Sequence, residues 1–221
     1  MSTHRPVLST NEIYHVYNRT IGKIAVFDSI KNLYRILEIV NFYRFSQNVK
    51  LSIFKNWPQA LQSDYLNNIT KQLPLIEIYV FSFMPNHFHF LLKQLQNKGI
   101  STFLSNMQNS FAKSFNLIYE RDGGLFKNSF KAKRITNNEE FIHVGRYIYL
   151  NHVTSKIITI EQLLTYEWTS LAYYFDKKNS DFVNANPVLR YFKTQEKYFK
   201  FLKNNIYYQS KIKIIKDLMI D

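Results

Sequence analysis

Residues 84–93 read MPNHFHFLLK, and two of them, His87 and His89, are imidazoles one residue apart in an otherwise apolar run. In an extended strand alternate side chains share a face, so His87, His89 and Leu91 point one way and Phe88, Phe90 and Leu92 the other. Positions i and i+2 stand roughly 6.5–7 Å apart along a strand. At that spacing two imidazoles can converge on one ion between them. Neutral imidazole is a good ligand for Mn, Zn and Ni, whereas Mg prefers oxygen. Two ligands leave open positions for water and substrate oxygens, as catalysis requires. Taken alone the pair is weak evidence, because two hydrogen-bonded imidazoles in a half-exposed strand give the same string.

A partner is found in GRYIYLNHV, residues 145–153. On a helix Tyr147 and Asn151 are four apart and face the same way. Tyr149 lies about 200° round from Tyr147 and points elsewhere. Asn supplies a neutral carbonyl oxygen to a metal. Tyr supplies a phenol, a nucleophile once deprotonated; its ordinary pKa is about 10, so it needs help from a cation such as Arg146, Lys133 or a metal. An ordinary alternative stands beside this reading: Tyr147 packs on the sheet and Asn151 ends the helix.

These residues need a scaffold. EIYHVYNR (12–19) has the β-branched and aromatic content of a strand. Residues 28–45 carry apolar side chains at helical spacing, capped by Asp28 or Ser29. LPLIEIYVFSF (73–83) and HFHFLLK (87–93) are strands joined by the turn residues Met84-Pro85-Asn86. A helix over 101–121 buries Phe103, Leu104, Met107, Phe111, Phe115 and Ile118, and Gly123-Gly124 ends it. LFKNSFKAKRI (125–135) is a fourth strand, and Asn137 or Asn138 caps the helix that carries Tyr147. The order β-α-β-β-α-β is that of the ferredoxin-like split βαβ unit, an α+β antiparallel sheet with helices on one face. The added helix is free to lie on the other face. Residues 1–155 read as this unit and 156–221 as a basic helical extension of it.

Lys and Arg number 29 against 16 Asp and Glu, a formal charge of +13. Such a field favours a polyanion, and with no basic amphipathic anchor in sight nucleic acid leads. The absence of cysteine excludes disulfides, thiolate metal sites and a Cys nucleophile. No apolar stretch is long enough for a bilayer, and MSTHRPVLST lacks the apolar core of a secretory signal. A cytoplasmic, nucleoid-associated protein is expected.

MPNHFHFLLK resembles the histidine-hydrophobic-histidine (HUH) motif of single-tyrosine transposases. LFKNSFKAKRI followed by RYIYLN resembles the nucleophile-bearing stretch of the REP-associated tyrosine transposases, relatives of the insertion-sequence-200 enzymes. YEWTSLAYY (166–174) resembles the segment that follows in those proteins. The resemblance spans roughly residues 12–175. It implies a metal-dependent DNA-nicking and strand-transfer enzyme acting on single-stranded DNA with a hairpin or repeat. Tyr147 would be the nucleophile, forming a 5′-phosphotyrosine, and His87, His89 and Asn151 would hold Mg2+ or Mn2+. A monomer or a homodimer is compatible with it. Lys127, Lys131, Lys133, Arg134 and Arg146 are candidate DNA contacts, as are the C-terminal lysines Lys193, Lys197, Lys200, Lys203, Lys211, Lys213 and Lys216. Two other readings remain: a DNA-binding protein without turnover, and a metallo-phosphodiesterase that uses water. His152 stands where the family has Pro and is expected at the surface; His15 and His143 are expected to be structural.

Overall fold

The computed structural model describes residues 6–175 and 182–204. Lys211, Lys213 and Lys216 lie outside them. The described elements are β1 (Ile13–Arg19), α1 (Ile30–Tyr43), α2 (Leu51–Phe54), α3 (Gln59–Ile69), β2 (Ile76–Met84), β3 (His87–Gln94), α4 (Gly99–Ile118), β4 (Lys131–Ile135), α5 (Asn138–Thr154), α6 (Leu171–Phe175), α7 (Asn186–Leu189) and α8 (Gln195–Lys203). The sheet is antiparallel between all neighbours, in the order β2-β3-β1-β4. That is the topology of the split βαβ pattern, with β3 inserted between β1 and β2.

The alternation of β3 divides the molecule into two layers. Phe88 and Phe90 face the helices α1 and α4, where Phe90 meets Phe103 and Phe83 edge-on. Leu33, Ile36, Val40, Phe103, Leu104, Met107 and Phe111 are buried on that side. Each such side chain contributes about 1.5–3 kcal/mol by leaving water. The opposite face carries His87 and His89, and α5 covers it. Gly145 of α5 faces β2, where a Cβ would make ordinary contact with Val80 at 3.6 Å.

Four local features differ from expectation. Strand β4 begins at Lys131; Phe126 makes only an isolated bridge with Thr20, and Lys127 N–H reaches the Arg19 carbonyl. Helix α4 ends at Ile118, and Glu120, not glycine, takes the left-handed conformation after it. Helices α2 and α3 fill a stretch, 51–69, for which the pattern gave no element. Residues 168–170 lie along the open edge of β2: Phe83 N–H bonds to the Trp168 carbonyl, and Phe81 and Ser170 exchange two hydrogen bonds. This covers backbone groups that would otherwise be an unpaired sheet edge.

Candidate active site

The site forms where β1 and β3 run under α5. The strand register places Tyr17 opposite His89 and Arg19 opposite His87. His15, Tyr17 and Arg19 therefore share the histidine face. His87 and His89 have ring centroids 5.1 Å apart, nearly perpendicular. His87 Nδ1 lies 2.7 Å from Asn86 Oδ1. An amide oxygen accepts, so Nδ1–H donates and the lone pair of that ring sits on Nε2. His89 Nδ1 lies 2.9 Å from His15 Nε2, and the two rings stack at 5.2 Å.

Helix α5 starts from a reciprocal cap. Asn137 accepts from Glu140 N–H, and the Glu140 carboxylate accepts from Thr136 N–H. The helix ends in a Schellman motif: Ile157 N–H reaches the His152 carbonyl, Lys156 N–H reaches that of Val153, and Lys156 has φ 57°. Between these ends the phase is as the spacing predicts. Tyr147 is 40% exposed, with its ring 6.1 Å from both His15 and His89 and edge-on to His89. Tyr149 is fully buried on the other side, its hydroxyl 2.8 Å from Ser170 Oγ. Asn151 is buried beside Tyr147, its amide close enough to favour the phenolate.

Burial sets the protonation states. It holds His89 well below the usual imidazole range, with the neighbouring charges of His15, His87, Arg19 and His152 adding to the effect. Burial, then the Lys133 ammonium, brings His15 down to about 4. Both rings are neutral at pH 7, the form that offers a lone pair. Burial pushes the Tyr147 phenol up; Asn151 pulls it back, Tyr17 raises it further and Arg19 lowers it. The cation that favours the Tyr147 phenolate is therefore Arg19, not Arg146 or Lys133.

Among the described residues no three His, Cys, Asp or Glu side chains converge. A cation here would draw on two imidazoles and neutral oxygens. The residues fit that role. The imidazoles are close and neutral, and Asn151 Nδ2 is buried with no hydrogen-bond partner. Turning that amide over exchanges the orphaned nitrogen for an oxygen that a cation would satisfy.

The basic candidates divide. Lys131 and Lys133 lie on β4, with Lys133 paired to Glu140. Arg134 is held by Glu12, and Lys127 precedes the strand. Arg146 lies apart from them, buried with its guanidinium 4.2 Å over the Phe201 ring and bonded to His143 and to the Phe201 carbonyl. Lys203 pairs with Glu161. His152 is not at the surface. It is fully buried, with Nδ1 near Ser82 Oγ at 3.3 Å and Nε2 near the Phe83 carbonyl at 3.2 Å. The helix continues past it to Thr154, which presses the imidazole onto β2. His15 and Arg19 complete the site although the sequence reading gave neither a place in it.

Residues 45–151 match the family model described as Transposase IS200 like. Over that segment the chain is similar to the IS200-like transposases. The matched segment holds the paired histidines, Tyr147 and Asn151, and leaves out β1 with His15 and Arg19. No curated protein matches the chain. Among solved structures, one of a REP-associated tyrosine transposase bound to a REP hairpin is similar in fold, with TM-score 0.56 and 13% identity over 80% of this chain and 87% of that one. The chain thus shares the α+β fold of that transposase. Among the described residues no helix is long and apolar enough to cross a membrane.

Proposed function

We propose that the chain is a metal-dependent endonuclease and strand transferase for single-stranded DNA, acting at hairpin or repeat sites through a 5′-phosphotyrosine. One observation carries this reading: within one chain the Tyr147 ring stands 6.1 Å from the His89 ring of the histidine pair. A phosphodiester entering there meets a phenol from the helix and cation-holding imidazoles from the sheet. His87, His89 and Asn151 would hold Mg2+ or Mn2+, which when bound supplies Lewis acidity to the scissile phosphate.

Tyr147 Oη attacks phosphorus as it gives up its proton. The new O–P bond forms, the bond from phosphorus to the 3′ oxygen breaks, and that oxygen leaves as a hydroxyl after taking up a proton. Burial makes the phenol a poor acid, and the Arg19 charge offsets part of this. The phosphotyrosine conserves the energy of the broken bond, so a second 3′-hydroxyl can reverse the step and rejoin the strand without ATP. Lys127, Lys131, Lys133, Arg134 and Arg19 supply positive charge near the site for backbone phosphates. Arg146, buried under α8, is not among them. The REP hairpin held by the structurally similar transposase supports a hairpin-bearing substrate.

The test is a 5′- and 3′-labelled single-stranded oligonucleotide carrying candidate repeats, incubated with Mn2+ and run on a denaturing gel. A covalent protein–DNA band that is missing with Tyr147→Phe is expected. Binding with no adduct would mark a non-catalytic DNA-binding protein. Cleavage that survives Tyr147→Phe would mark a phosphodiesterase that uses water.

A further inference from the structure

His15 lies on β1, the strand outside the family match, yet its Nε2 is 2.9 Å from His89 Nδ1 and both side chains are buried. Two neutral imidazoles so placed share one proton between those nitrogens. If His15 Nε2–H donates, His89 carries its proton on Nε2 and its lone pair is spent on His15. If His89 Nδ1–H donates, the lone pair of His89 sits on Nε2 and is available to an ion. The second arrangement alone makes His89 a ligand, and it requires His15 to accept. A ring in that role is also fixed in plane, here by His15 stacked at 5.2 Å and Tyr17 at 5.4 Å.

We propose that His15 is a positioning residue that accepts a hydrogen bond from His89 Nδ1–H and so sets the tautomer and ring plane in which His89 binds a divalent cation. This rests on the metal reading given above. Partners of this kind that orient a metal-ligating histidine typically govern affinity by about 10–100-fold. A packing role alone would be served equally well by Phe, which keeps the ring and removes the acceptor. Gln keeps an acceptor without the ring.

Titration calorimetry with MnCl2 alone, without DNA, separates the possibilities. His15→Phe should weaken Mn2+ binding about 10–100-fold while its thermal midpoint in metal-free buffer stays at or above that of the unaltered chain. His15→Gln should recover most of the affinity. Nitrogen NMR of imidazole-labelled, metal-free protein should show His89 protonated at Nδ1. Failure of the unaltered chain to bind Mn2+ would sink the metal reading and this inference with it. Equal binding by the unaltered chain and His15→Phe would overturn the inference alone. Should His15→Phe not fold, the NMR decides: a proton on Nε2 of His89 in the unaltered chain also overturns it.

Discussion

The Tyr147 ring meets the His89 imidazole edge-on, with centroids 6.1 Å apart and planes at 90°. One ring comes from a helix and the other from the strand beneath it. A helix turns about 100° per residue, so only one phase of α5 brings a tyrosine over the pair. The chain has two candidates, and their surroundings separate them. Tyr147 is half open to solvent, whereas Tyr149 is closed in against Ser170 and Tyr174.

Exchange of the two tyrosines should therefore dissociate chemistry from stability. Tyr147→Phe should abolish the covalent DNA adduct and change the unfolding free energy by less than about 0.5 kcal/mol. Tyr149→Phe should keep the adduct and cost about 1 kcal/mol through the lost hydrogen bond to Ser170. Denaturant unfolding together with the adduct gel measures both. Loss of the adduct in Tyr149→Phe alone would mean that the helix phase is wrong.

The arginine and lysine side chains make a second separable pair of effects. Arg146→Met removes a buried guanidinium from the Phe201 face and should cost about 1–2 kcal/mol of stability. DNA affinity should stay nearly unchanged. Lys127→Ala and Lys131→Ala should leave stability alone and weaken DNA binding, each reducing the slope of log affinity against log salt by about 1. Fluorescence anisotropy at several salt concentrations reads this directly.

His152 should behave as a core residue. His152→Ala removes the partner of Ser82 Oγ and of the Phe83 carbonyl and leaves a cavity. A loss of about 2–4 kcal/mol is expected. His152→Pro should cost about 3 kcal/mol or more, because the helix runs through this position and proline removes a hydrogen bond and crowds the preceding turn. Thermal unfolding that is insensitive to both changes would contradict the burial seen here.

The buried imidazoles also set a pH dependence for the metal-free protein. The folded state lowers His15 to about 4 and His89 well below its ordinary value. Between the ordinary value of about 6.5 and the lowered ones, the unfolded chain binds more protons. The stability these groups contribute is complete above pH 6.5 and is lost as pH falls toward 4. For His15 alone the loss is on the order of 3 kcal/mol. Denaturant midpoints between pH 7 and pH 4 should fall accordingly and fall less steeply in His15→Phe. Parallel curves would rule out His15 as a source.

The parts of this site that were legible in the sequence are those fixed by local periodicity. Alternation in HFHFLL aligns His87 with His89, and the i, i+4 step aligns Tyr147 with Asn151. His15 and Arg19 follow the same alternation in IYHVYNR, but placing them beside His89 requires the register between β1 and β3, which a single strand does not encode. His152 is buried and not at the surface because α5 does not end at Asn151: the Schellman motif closes it five residues later, at Lys156. Helix α3 leaves only a faint apolar pattern in the sequence because Ile69 is the residue it buries. The fourth strand is shorter than its composition suggests because Phe126 and Phe130 look like strand residues and instead pack into the core from a loop.

Ser170 has two tasks: it closes the edge of β2 and shares a hydrogen bond with the hydroxyl of Tyr149. Helix α5, which carries Tyr147, is thereby anchored to its own sheet, over histidines of the same polypeptide. On the function proposed above, each molecule would carry both Tyr147 and the histidine pair, so the initial cleavage rate should rise in direct proportion to protein concentration and persist at dilutions where any dimer has come apart.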